Sequence, residues 1–205
     1  MATSARSRGA PTARRQEVEA SLLEATEALL EEGNAYSDLG VERIARRAGI
    51  SRTAFYFYFA DKSELLVRLT EDVNALILEQ ASLWWEREGA PDERVRQALE
   101  NSLEIHRGHA ALLRAVVEVA AYDEAMAEHR RRLVERVAEV TERHVEGENA
   151  AGRSECPSPQ ATALALTWMT DAAFLQQEAA GAPVDDAELI AALASIWVRS
   201  IYASR

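Results

Sequence analysis

No stretch of this 205-residue chain alternates apolar and polar residues with a period of two, whereas most of it repeats apolar residues three or four apart. A strand turns successive side chains to opposite faces, while a helix advances each by ~100°, so the pattern admits helices and excludes a half-buried sheet. Composition agrees with the pattern. Gly (9) and Pro (5) are scarce, and Ala, Leu, Glu and Arg dominate. These four side chains lose little freedom in a helix. The length allows one large domain or a small one joined to a larger, and either can bury a core.

Residues 1–12 read as a disordered arm. The spacing of Val18, Leu22, Ala25 and Leu29 predicts a helix over 14–32 that stops at Gly33-Asn34. Tyr36-Ser37-Asp38-Leu39 is a connector, and a short helix over 41–48 follows with Val41, Ile44, Ala45 and Ala48 on one face. Gly49 breaks it, and Ser51 can cap a third helix over 51–58. Two short helices joined by a tight glycine turn make a helix-turn-helix candidate.

Asp61 can cap a long helix that runs through Leu65, Leu69, Val73, Leu76 and Gln80 to Trp85 or Glu88. Further helices are expected over 91–107, 110–121, 123–146, 161–180 and 188–202, the last two split by Gly181-Ala182-Pro183. Residues 147–159 mix Gly, Asn, Ser and two prolines and read as a mobile loop. The expectation is an all-α chain of about nine helices: an arm (1–12), a helix-turn-helix three-helix domain (13–60) and a larger helical domain (61–205).

The net charge of −11 argues at first against a polyanionic partner, but its distribution reverses that. Residues 1–60 balance 8 Arg against 8 Asp and Glu, so the remainder carries the whole deficit. Within 40–59, Arg43, Arg46, Arg47 and Arg52 face only Glu42, and Arg6, Arg8, Arg14 and Arg15 lie ahead of them. The amino-terminal part offers phosphates something to bind, and the rest repels them. The single cysteine, Cys156, cannot form an intrachain disulfide, which fits a reducing interior. No apolar run approaches the ~20 residues a membrane span needs, and residues 1–12 lack the apolar segment of a secretory signal. A soluble cytoplasmic protein with no membrane partner is expected.

Five consecutive aromatics, Phe55-Tyr56-Phe57-Tyr58-Phe59, stand in an otherwise ring-poor chain. They cannot all face one side of a helix, so some must be exposed beside the arginines, where a partner explains them better than chance. Phe55 and Phe59, four apart, can pack inward on Ile44. Tyr56 and Phe57 then point toward a groove, and Tyr58 can offer its hydroxyl to a phosphate. Ser51, Arg52 and Thr53 stand at the positive end of the reading helix, and Lys62 would clamp the DNA backbone.

The stretch from Val41 to Lys62 (VERIARRAGISRTAFYFYFADK) closely resembles the DNA-binding signature of TetR-family transcriptional repressors, and the likeness covers roughly residues 24–69. It implies base- or groove-facing roles for Thr53, Ala54, Tyr56 and Phe57, and phosphate contacts for Tyr58 and Lys62. Phe57 departs from the family, where the position is usually polar, so apolar contact with a thymine methyl would stand in for a hydrogen bond. The tail Ile196-Trp197-Val198-Arg199-Ser200-Ile201-Tyr202, with the aromatic run, resembles the EthR-type subgroup of actinobacterial repressors.

The resemblance implies a repressor that binds a pseudopalindromic double-stranded DNA operator as a homodimer through its last two helices. A small, largely hydrophobic effector would release it. Ala161, Ala163, Ala165, Ala172, Ala173, Ala191, Ala192 and Ala194 would let those helices approach closely, or are ordinary helix formers. Candidate effector contacts are Trp84, Trp85, Thr167, Trp168, Thr170, Asp171, Phe174 and Trp197. Asp171, the sharpest polar candidate, suits a cationic or hydroxyl-bearing ligand, a hydrogen bond across a dimer, or a solvated face. The tryptophans can equally be core.

No cofactor or metal motif is present. His106, His109, Asp123 and His129 lack the spacing of established sites and read as surface or hinge residues, and Cys156 as a bystander thiol. Two other classes remain open, a helical protein-interaction module and an enzyme housed in the larger domain. The latter lacks a paired nucleophile and base, a phosphate loop or a metal motif.

Overall fold

The computed structural model of the chain describes residues 13–85, 89–179 and 184–202. The arm expected over 1–12 and the break at Gly181-Ala182-Pro183 lie outside the described residues. Among the described residues the fold is all-α: α1 (Ala13–Glu31), α2 (Val41–Arg47), α3 (Arg52–Phe55), α4 (Lys62–Trp85), α5 (Pro91–Gly108), α6 (Ala110–Ala120), α7 (Glu124–Ala150), α8 (Pro159–Ala179) and α9 (Asp186–Tyr202). None of these helices is long and apolar enough to cross a membrane. The chain divides into two compact units, Met1–Leu69 and Thr70–Arg205.

The first unit buries Leu22, Leu29, Leu39, Ile44, Phe55, Phe59, Leu65 and Leu66, each large apolar side chain contributing roughly 1.5–3 kcal/mol. The helix-turn-helix corner is set by Gly49, whose φ of +74° is costly for a residue with a Cβ. Gly49 N–H donates to Arg46 O (3.2 Å) and Ile50 N–H to Ala45 O (2.9 Å), so the last carbonyls of α2 are satisfied while the chain turns. Ser51 Oγ then accepts from Ala54 N–H at 3.1 Å and starts α3. At four residues α3 is shorter than the helix expected over 51–58. Phe57 and Tyr58 bond back three residues, to Ala54 O and Phe55 O, and this tightened turn redirects the chain. Asp61 Oδ1 accepts from Glu64 N–H (2.8 Å) and starts α4.

The connector before α2 carries more structure than its polar sequence suggests. Tyr36 is buried, and its hydroxyl donates to Lys62 O at 2.5 Å. In return the Lys62 ammonium donates to the carbonyls of Tyr36 (3.1 Å), Ser37 (3.3 Å) and Leu39 (2.8 Å), and lies 5.1 Å from the Tyr36 ring centroid. Lys62 thereby ties the start of α4 to the connector.

In the second unit α7 lies along α8, α5 along α9 and α6 along α7, whereas α4 makes no comparably close backbone approach among the described residues. Leu99, Leu103, Val145, Phe174, Leu193, Trp197 and Ile201 belong to its core. Two expectations are corrected here. Helix α7 continues to Ala150, four residues beyond the expected end, because Val145 and Glu148 are still buried on its inner face. Cys156 is not on a mobile loop but buried in the core. The Asn149 side chain clamps it, donating to Cys156 O (2.8 Å) and accepting from Cys156 N–H (3.1 Å), and Ser154 Oγ donates to Ile201 O.

Lys62→Met keeps the apolar stem but strips three carbonyls of a charged donor. We expect a loss of about 2–3 kcal/mol in the first unit, read as reduced native-state hydrogen-exchange protection across residues 20–66. Unchanged protection there would refute the anchoring role.

Candidate nucleic-acid interface and effector cavity

The reading turn separates its five rings cleanly. Phe55 is fully buried and Phe59 nearly so, 5.9 Å apart between centroids. Tyr56 packs edge-on against Phe55 yet remains 49% exposed, and Phe57 stands out at 74%. Tyr58 is half-buried, with the Arg15 guanidinium 5.8 Å from its ring centroid. Ser51, Arg52 and Thr53 are exposed and Ala54 is half-buried. Arg46 pairs with Glu42 and Arg47 with Glu32, whereas Arg43 and Arg52 make no ion pair among the described residues. Lys62 departs from the expected geometry. Its ammonium hydrogens are directed at three carbonyls, so a phosphate would have to compete with them.

The second unit holds a partly open cavity of about 70 Å³ between α4, α5, α7, α8 and α9. Five of the eight expected effector residues line it: Trp84, Thr167, Thr170, Asp171 and Trp197. Three do not. Trp85 stacks elsewhere, Trp168 lies under the Arg130 guanidinium at 4.8 Å, and Phe174 is fully buried against the edge of His106. Sequence reading missed the apolar walls Ile77, Leu99, Leu133 and Val134, whose spacing looks like any core position.

It also misjudged His106, expected at a surface or hinge. His106 is buried, with Nδ1 2.8 Å from Ser102 O and Nε2 3.7 Å from Asp171 Oδ1. Asp171 is bonded through its other oxygen to Arg130, so its charge is already neutralised. His109 does sit at the α5–α6 junction, capping both helices.

The remaining wall polars are mostly satisfied. Trp197 Nε1 donates to Thr170 Oγ1 (2.9 Å) and Thr167 Oγ1 to Ala163 O (2.8 Å). Trp84 is different: its indole Nε1 is buried with no acceptor among the described residues. An unmet buried donor of this kind costs about 1–3 kcal/mol. A smaller chamber of about 30 Å³ shares Ile77, His106, Leu133, Val134 and Asp171 with the first and adds Thr70, Asn74, His129 and Arg130. There His129 Nε2 accepts from Asn74 (3.1 Å) and lies 2.9 Å from Thr70 Oγ1, and burial lowers its pKa below the usual imidazole value. No group of three or more His, Cys, Asp or Glu among the described residues could hold a metal.

On α8 and α9 the small residues divide. Ala163 and Ala194 are buried and Ala173 half-buried, whereas Ala161, Ala165, Ala172, Ala191 and Ala192 are exposed. Leu164 (α8) and Ile196 (α9) are exposed with them.

A glycine-cornered pair of short helices with an exposed, partly aromatic turn, in a chain whose remainder is a larger helical unit, defines the class of helix-turn-helix regulators. Comparison with known proteins narrows it. The model for bacterial regulatory proteins of the tetR family matches residues 22–69, and that for the C-terminal domain of the transcriptional regulator EthR matches residues 95–203. The HTH-type transcriptional regulator EthR of Mycobacterium tuberculosis H37Rv is 30% identical over 188 residues, covering 90% of this chain and 87% of its own length. The EthR of Mycolicibacterium smegmatis is 28% identical over 193 residues, covering 90% and 86%.

Among solved structures, a TetR-family regulator from Syntrophomonas wolfei superposes with a TM-score of 0.70 at 19% identity, covering 91% of this chain and 93% of that one. FadR of Bacillus subtilis, solved in complex with stearoyl-CoA, gives 0.69 at 14% identity, covering 91% and 98%. The chain belongs to the TetR family of transcriptional regulators, in its EthR-like branch.

Trp85, displaced from the cavity, stacks on His144 at 3.9 Å, and His144 Nε2 lies 2.7 Å from the Tyr202 hydroxyl. Burial pushes His144 down to about 4, against the opposing pull of Glu148. The unfolded chain takes up this proton near pH 6.5, so the contribution is complete above that pH and is lost progressively as the pH falls to about 4. After allowance for solvent screening, about 2 kcal/mol is expected to disappear across that window. His144→Gln should flatten the fall in unfolding free energy between pH 6.5 and 4, measured by urea titration. An unaltered slope would remove His144 as its source.

Proposed function

We propose that this regulator is a cytoplasmic, ligand-responsive repressor that binds a pseudopalindromic operator as a homodimer and is released by a small, largely hydrophobic effector. The observation that carries the DNA reading is the 74%-exposed Phe57 ring beside exposed Ser51, Arg52 and Thr53 on a turn whose other phenylalanines are buried. An aromatic ring left in water beside unpaired arginines has a reason to be there if it meets base edges. Thr53, Ala54, Tyr56 and Phe57 face the groove, with Phe57 against a thymine methyl, while Arg52 and Tyr58 hold phosphates. Lys62 acts first as the anchor of α4 and only second as a phosphate contact.

The exposed alanines with Leu164 and Ile196 form the homodimer face on α8 and α9. Effector enters the cavity whose α4 wall is Ile77, Ala81 and Trp84. Helix α4, which supplies this wall and begins at Lys62 just after the aromatic turn, yields to the wedge. The two heads then leave the register of successive major grooves, a shift of population toward the non-binding conformer.

Selection of bound duplexes from a random pool, followed by compound screening for their release, tests the whole reading. Retention of no specific duplex would end it. Phe57→Ala should lower discrimination about tenfold at one thymine position in each half-site, whereas Tyr58→Phe should weaken all duplexes alike. Ile196→Glu should turn the dimer into monomer in sedimentation velocity and lose operator affinity with it. A dimer that survives this change rules out the α8–α9 face.

A further inference from the structure

Resting on the DNA reading just given, the chemistry of the exposed turn specifies which feature of a base edge it can recognise. Side chains that identify bases by directed hydrogen bonds are Arg and Lys for guanine, Asn and Gln for adenine, and Asp and Glu for cytosine. Between Ser51 and Phe59 only Arg52 belongs to that set. The other polar groups of the turn are mostly engaged. Ser51 Oγ is taken by Ala54 N–H, and the backbone N–H groups of Phe57 and Tyr58 are taken by Ala54 O and Phe55 O. The hydroxyls of Thr53 and Tyr56 can donate or accept, so they serve either kind of edge. What the turn does present is apolar: the methyl of exposed Thr53, the Cβ of half-buried Ala54 and the exposed Phe57 ring. These are the side-chain types that meet a C5-methyl group in the major groove.

We infer that Phe57 makes this regulator a reader of 5-methylpyrimidines, which recognises the C5-methyl of thymine and of 5-methylcytosine alike and is therefore sensitive to cytosine methylation in its DNA. The two bases project the same methyl group at the same place in the major groove. They differ in the polar group beside it, an O4 acceptor in thymine and an N4 amino donor in cytosine. A phenyl ring has neither donor nor acceptor with which to tell these apart. It responds only to the apolar surface it covers. Covering one methyl is worth about three- to fourfold in affinity per half-site, and about tenfold over two symmetric half-sites. A site with cytosine at this position is then a poor operator until that base carries the methyl group.

The test takes the duplex that the full-length protein selects and varies one thymine at a time, symmetrically in both half-sites, with affinity read by fluorescence anisotropy. Deoxyuridine keeps the base pair and removes only the methyl. At one thymine per half-site this change should weaken binding about tenfold. A cytosine–guanine pair at the same position should bind weakly, and 5-methylcytosine there should recover the same factor. The ratio of thymine to uridine and the ratio of methylcytosine to cytosine should therefore agree. In Phe57→Ala both differences should disappear. The ring is exposed, so its removal takes no contact from the core of the first unit. The duplex series with the unaltered protein is decisive even without that variant. An operator indifferent to deoxyuridine at every thymine, a methylcytosine no better than cytosine, or methyl sensitivity that persists in Phe57→Ala would overturn the inference and leave the repressor reading standing. If no specific duplex is retained at all, the DNA reading has failed and the inference falls with it.

Discussion

A backbone that turns ~100° per residue cannot hide five adjacent rings on one side, and the reading unit is arranged around that impossibility. Burial of Phe55 and Phe59 decides which way the turn faces, and the exposure of Tyr56 and Phe57 follows from it. The burial also explains why α3 persists at four residues, a length with no stability of its own in water. Its lower end is held by Ser51 and the Gly49 corner, its upper end by the passage into α4 that Lys62 and Tyr36 tie down. Each of these devices fixes the orientation of a surface rather than adding to it.

The second unit works by the opposite economy, in which charge is cancelled before it can be recognised. Asp171, read from its apolar neighbours in sequence, looks like a bare carboxylate waiting for a cation. In three dimensions Arg130 reaches it from α7 and His106 from α5.

The helices themselves were legible, because 3.6-residue periodicity, glycine stops and Ser and Asp caps are local signals. The split among the aromatics was legible for the same reason, since Phe55 and Phe59 are four apart. What sequence hid is what depends on distant pairing. Lys62 reads as a phosphate clamp until the carbonyls of residues 36, 37 and 39 are seen around it. Arg130 and Asp171 are 41 residues apart, and nothing in either segment announces the other. Of the tryptophans, Trp84 and Trp197 reach the cavity while Trp85, the immediate neighbour of Trp84, is turned away toward His144. Adjacent residues on a helix differ by ~100° in azimuth, so composition alone could not choose between them. The loop before α8 was misread because Asn149, which clamps it, looks like any turn residue.

That clamp gives the chain an internal clock. Cys156 is its sole sulfur nucleophile, and it lies under a segment closed by Asn149 and by Ser154 on the last turn of α9. A thiol reagent can reach it only when this closure opens, so the rate of labelling measures how often the C-terminal end of α9 lets go of the body of the unit.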